Sequence, residues 1–218
     1  MSVSPAAIKD LRERTGAPMG DCKKALEESN GDVGKAVEWL QKKSMGTAAK
    51  KAGRIAAEGR VGAYVHHDGK TAVLIEVNCE SDFVALTDNF KEMVSSLCLQ
   101  IAAMSPRYVR KEEVPEAELA KQREIFQAQV RELGKPEALV PKIAEGKLTA
   151  WFGDVVLLEQ SYVKDDKLTV GRWLAERVGK MGENIVVRRF TRYELGEGLE
   201  KRQDDFVAEV ARMAQAVG

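Results

Sequence analysis

Two hydrophobic periods divide this chain, and the change between them falls near residue 61. Before it, apolar residues return every three or four positions. After it, Val61, Ala63 and Val65 alternate, and TAVLIEVNC places Val73, Ile75, Val77 and Cys79 on one face. A helical pattern does not sit as a strand, nor a strand pattern as a helix, so the chain must combine a helical start with a sheet. Asp68-Gly69, between the two alternating runs, carries a type I′ hairpin signal.

The helical start contains three short segments. Ser4-Pro5 supplies an N-cap and a first-turn proline, and Thr15-Gly16 ends the segment that holds Ile8 and Leu11. A second helix fits residues 19–29, with Met19, Cys22, Ala25 and Leu26 on one stripe. Asn30-Gly31-Asp32 stops it and caps a third, about 33–43, carrying Val33, Ala36, Val37 and Leu40. Residues 42–60 then hold six Lys or Arg side chains against Glu58 alone, with mostly Ala as apolar content. This reads as a partly helical linker, a solvated connector in preference to a nucleic-acid contact.

Beyond the hairpin, Thr87 caps an amphipathic helix with Phe90, Met93, Val94, Leu97, Ile101 and Met104 at helical spacing, and Pro106 stops it. Tyr108-Val109 reads as extended. Residues 116–133 form a further helix, Gly134-Lys135-Pro136 breaks it, and a return helix follows with Pro141 in its first turns, giving an antiparallel hairpin. Thr169 caps TVGRWLAERVGKMG. NIVVRRFTRYEL is β-rich, with Ile185 and Val187 on one face and Val186 and Phe190 on the other. A last helix spans about 203–216.

The 218 residues, 44% hydrophobic and 31% charged, suffice for a core of ordinary size. A net charge of +0 and 6% aromatics give no reason to expect nucleic acid or a membrane surface as partner. Three unpaired cysteines, Cys22, Cys79 and Cys98, fit a reducing compartment. With no apolar run of spanning length and no leader-like start at Met1, the expected localisation is cytoplasmic. No nucleotide-binding glycine motif, metal cluster or nucleophile–base set is present, and His66 and His67 point to opposite faces of a strand. The expectation is a binding protein, not an enzyme, with no cofactor and no metal.

One stretch stands apart. In VNCESDFVALTDNF, residues 77–90, Asp82 and Phe83 occupy what reads as a loop between strand and helix. On pattern alone, an acid that caps with an aromatic tucked under its own helix, and a pair presented to a partner, are both open. Met19 is likewise open between bundle core and partner contact. Arg12 and Lys23 read as solvated helix faces.

LRERTGAPMGDCKKALEESNGDVGKAVEWL (11–40) and EVNCESDFVA (76–85) resemble the two signatures of the elongation factor Ts family, exchange factors for the translational GTPase elongation factor Tu. AEGKLTAWFGDVVLLEQSYV (144–163), LTVGRWL and RRFTRYELGEG continue the likeness in collinear order. The resemblance implies an α+β fold. It comprises a three-helix ubiquitin-associated-like domain (1–43), a basic linker (44–60), an antiparallel-sheet core (61–200) with a helical hairpin at 116–158, and a C-terminal helix module (201–218).

It further implies that the chain binds elongation factor Tu, with Asp82 and Phe83, flanked by Ser81 and Val84, wedging near its nucleotide and Mg²⁺ site. Arg12, Met19 and Lys23 are implied to dock on its nucleotide-binding domain. Gly20 stands where the family often has a second Met, and Gln100 where long members often have a histidine. The core corresponds to half of that in long members, which implies a homodimer in which two chains rebuild the sheet.

Overall fold

The computed structural model describes residues 3–199, and local capping sets its first elements. The Ser4 hydroxyl accepts from Ala7 N–H to open α1 (Pro5–Thr15), and Gly16 closes it in the left-handed conformation, φ 63°. α2 (Met19–Glu28) follows; Asn30 and Gly31 turn the chain at positive φ, and Asp32 caps α3 (Val33–Lys51) by accepting from Lys35 N–H. Leu11, Cys22, Ala25, Leu26, Ala36 and Leu40 bury together between the three helices.

α3 runs Val33–Lys51, eight residues beyond the predicted end at 43, so much of the stretch read as linker is helix. Its Ala, Lys and Met residues favour helix. Small side chains there also serve packing: Ala48 rests on the main core, and Ser44 meets Gly179 of α8 (Val170–Met181), where an added Cβ would lie 3.3 Å from Ser44 Oγ. Only residues 52–57 separate this helix from the sheet.

β1 (Glu58–Val65), β2 (Thr71–Cys79) and β5 (Val186–Glu194) form an antiparallel sheet in the order β1-β2-β5. The β1–β2 turn is not type I′, since Gly69 has positive φ but Asp68 does not. Gly69 N–H instead bonds His66 O at 2.9 Å, and Asp68 Oδ1 accepts from Lys70 N–H, giving a longer loop. Val73, Ile75, Val77 and Cys79 face α5 (Asp88–Met104), which buries Phe90, Met93, Val94, Leu97 and Ile101 against them. Gly62 allows the approach, because a Cβ there would sit 2.3 Å from Val94 Cγ1. Val61 and Val65 accordingly turn outward.

A bulge corrects the predicted faces of β5. Glu76 pairs with Arg189 and Val77 with Val187, leaving Arg188 as an extra residue. Val187 and Phe190 therefore share the core face, and both arginines reach Glu76, at 2.6 and 2.7 Å.

α6 (Glu116–Glu132) and α7 (Val140–Val155) form the helical hairpin, joined across residues 133–139. Tyr108 makes a parallel bridge to Val156 at its base. The ribbon β3 (Ser161–Tyr162) and β4 (Asp165–Thr169) leads into α8 (Val170–Met181), where Tyr162 stacks on Trp173 with centroids 4.5 Å apart. Gln100 is fully buried and bonds Gln160 and the ribbon backbone, so this position is part of the core and not of a surface. The helix predicted at 203–216 and the 201–218 module lie outside the described residues.

Candidate functional site

The segment after β2 is a helix, not a loop. Ser81 is the N-cap of α4 (Asp82–Leu86), its hydroxyl accepting from Val84 N–H at 3.4 Å. Thr87 ends α4 and caps α5 at once: its hydroxyl donates to Val84 O at 2.7 Å and accepts from Phe90 N–H at 3.3 Å. One short turn of helix is thus fixed at both ends by hydroxyl side chains.

Within that turn the helical period sorts the side chains. Ala85 is buried and Val84 packs on the core, whereas Asp82 is exposed and Phe83 is 79% exposed. Leu86, three residues on from Phe83 and 64% exposed, presents a second apolar group on the outward side. The aromatic is not tucked under its own helix. A loop reading of this segment carries no signal for Leu86; the Ser81 cap and the helical period together put it on the Phe83 face.

The base of α4 is braced from far along the chain. Glu183, in the turn after α8, accepts from the N–H groups of Glu80 and Ser81 at 3.1 Å each and from the Ser81 hydroxyl at 2.6 Å. Glu80 answers by accepting from Asn184 N–H at 2.6 Å and lies 3.4 Å from the Arg54 guanidinium. The Asn184 N–H above all, with Arg54 assisting, holds the Glu80 carboxyl below the usual glutamate range. Cys79 Sγ donates to Ser81 O at 3.1 Å, and burial pushes this thiol up, as it pushes Cys98 up to about 11. All three cysteines are buried and free.

Of the other predicted contacts, Met19 and Lys23 lie one turn apart on α2, with Met19 53% exposed. Lys23 is exposed and pairs with Glu27 at 3.8 Å; Arg12 is exposed on α1. The α1–α2 turn faces α4 across a cavity of about 420 Å³ lined by Gly16, Val84, Thr87, Arg177 and Lys180. Among the described residues, no group of three or more His, Cys, Asp or Glu side chains is placed to hold a metal, and no helix is long and apolar enough to cross a membrane.

Fold and site together define an α+β protein, with a helical bundle packed on an antiparallel-sheet core, that displays an unburied aromatic on a turn secured at both ends. The sequence profile of the family described as Elongation factor TS matches residues 9–197. Elongation factor Ts of Geobacter sulfurreducens is 52% identical over 214 residues, 98% of this chain and 99% of its own length. That of Carboxydothermus hydrogenoformans is 54% identical over 209 residues, covering 96% of each, and that of an Anaeromyxobacter strain 53% over 212 residues, 97% of each. The chain belongs to the elongation factor Ts family of translation elongation factors.

Proposed function

We propose that this protein binds elongation factor Tu in its GDP-bound and nucleotide-free forms and promotes release of GDP, so that GTP can rebind. Asp82 and Phe83 wedge near the partner's nucleotide and Mg²⁺ site, with Ser81 and Val84 flanking them. Arg12, Met19 and Lys23 supply the second contact, from the three-helix domain. The protein performs no bond chemistry and needs no cofactor, nucleic acid or membrane, and it acts in the cytoplasm.

The observation that carries this reading is the exposure of Phe83 on a fixed turn. Burying a Phe contributes about 1.5–3 kcal/mol, and this chain leaves that contribution unused in its own core. A rigid aromatic loses little entropy on docking, which suits an interface anchor. Exchange then requires only that the wedge fit the nucleotide-free partner better than the nucleotide-bound one. By linkage the same preference weakens nucleotide binding in return.

The outward face of the sheet supports pairing of two copies. Val65, Ala72 and Tyr193 lie in one row and Ala63, Leu74 and Thr191 in the next, with Val65, Leu74 and Tyr193 exposed. Such an apolar face is suited to a second sheet laid on it.

Stopped-flow release of fluorescent GDP from elongation factor Tu tests the exchange reading. The chain should accelerate release, and Phe83→Ala should lose most of that acceleration. Unchanged release in the presence of the wild-type chain would sink the proposal.

A further inference from the structure

The last backbone pair of β2 with β1 is at Cys79, so the Glu80 and Ser81 N–H groups fall between the sheet and α4. Both are turned instead toward Glu183, whose carboxylate takes three donors: these two N–H groups and the Ser81 hydroxyl. The Ser81 hydroxyl proton is thereby directed at Glu183, which leaves an oxygen lone pair for Val84 N–H. The cap of the wedge helix is oriented by a carboxylate that lies 102 positions further along the chain.

Glu183 is held in its turn. Gly182 ends α8 at φ 77°, the left-handed conformation that reverses the chain there, and Lys51 donates to its carbonyl. Asn184, 5% exposed, gives its backbone N–H to Glu80 and its side-chain amide to Arg54 O at 2.8 Å. Glu80 and Glu183 therefore cross, each capping the other's segment, and the residues after α3 are tied into the same knot. Charge-assisted bonds of this kind are shorter and stronger than neutral ones, and several on one carboxylate fix direction as well as distance.

We propose that Glu183 is a positioning residue for nucleotide release: acting through Ser81, it fixes the angle at which α4 presents Asp82 and Phe83. The inference rests on the exchange reading above. A wedge that must enter a narrow space loses efficiency when its mount tilts, even where it still docks, because small misplacement costs rate more than affinity.

The test is stopped-flow release of N-methylanthraniloyl-GDP from elongation factor Tu across a range of exchange-factor concentrations. It compares wild type, Glu183→Ala and Glu183→Gln, with amide hydrogen exchange recorded on each free protein. Glu183→Ala should lower the maximal release rate about tenfold while shifting the half-saturating concentration less than threefold. It should also lose protection at the Glu80 and Ser81 amides, with the β2 amides unaffected. Glu183→Gln keeps an acceptor for the backbone N–H groups and should recover most of the rate.

A merely structural role would reduce the amount of active protein and move the half-saturating concentration, not the rate at saturation. A maximal rate within twofold of wild type, or a loss confined to half-saturation, overturns the inference and leaves the exchange reading standing. No acceleration by the wild-type chain overturns both. Should Glu183→Ala not fold, Glu183→Asp, which keeps the charge but shortens the reach to Ser81 by one methylene, is judged by the same two criteria.

Discussion

The Ser81 hydroxyl donates to one Glu183 oxygen at 2.6 Å while the Ser81 backbone N–H donates to the other at 3.1 Å. One carboxylate thus reads both the side chain and the main chain of the residue that opens the exposed turn. The turn is ordered although Phe83 contributes nothing to the core, because its order comes from its base. Stability and display are separated: Ala85, Val84 and the capping hydroxyls hold the turn, and Asp82, Phe83 and Leu86 are left free.

That separation predicts opposite outcomes for two phenylalanines in one short stretch. Phe83→Ala should change the free energy of unfolding by no more than about 0.5 kcal/mol, as for other exposed substitutions. Phe90→Ala, at a fully buried position of α5, should cost about 3–5 kcal/mol. Urea denaturation of both variants gives the comparison. A Phe83→Ala loss as large as that of Phe90→Ala would mean that the ring packs on its own protein.

The sequence made the α5 period, the β2 face and the Ser4, Asp32, Thr87 and Thr169 caps readable, because each rests on residues close in the chain. It did not reveal where α3 ends, since the decision depends on Ala48 and Ser44 meeting a core and a helix distant in sequence. The β5 faces are not readable from alternation alone, because the bulge at Arg188 is set by the pairing of β5 with Glu76 and Val77. Asp82 and Phe83 were conspicuous as residue types. Their support was hidden, for Gly182-Glu183-Asn184 looks like an ordinary helix stop until the fold brings it beside Glu80.

Acid should release this brace in a predictable window. The Glu80 carboxyl is held below the usual value of 4.5, first by the Asn184 N–H and then by Arg54. A group whose pKa is depressed on folding stabilises the fold above its unfolded value, and that contribution is lost as pH falls through its folded value. The stability difference between wild type and Glu80→Gln should therefore be full at neutral pH. It should shrink below about pH 4.5 and vanish once both states are protonated. Thermal unfolding at a series of pH values reads this directly; a difference that grows toward acid would contradict the assignment.

Gln100 should prove a core residue in energetic terms. Its amide donates to Gln160 Oε1 and Ser161 O, and its carbonyl accepts from Val163 N–H at 2.8 Å. Gln100→Leu fills similar volume but strands these groups away from water, at a cost of about 1–3 kcal/mol for each left unpaired. The midpoint of denaturation should fall accordingly. A neutral result would show that water or a shifted ribbon takes over the bonds.

The outward sheet face supplies the last prediction. Leu74 pairs across β2–β5 with Thr191, Ala72 pairs with Tyr193, and Leu74 and Tyr193 are exposed beside Val65. If two copies bury these rows against each other, a lysine at the centre must lose its hydration on association with no acid opposite it, since the symmetry of a twofold pair sets like charges face to face. Leu74→Lys and Tyr193→Lys should each move the protein toward the monomer in sedimentation velocity. Neither should lower the thermal stability of the isolated chain by more than about 0.5 kcal/mol, because both positions are open to solvent there. Wild type sedimenting as a monomer at all accessible concentrations would remove the dimer from the account, while leaving Phe83 and its mount as they are.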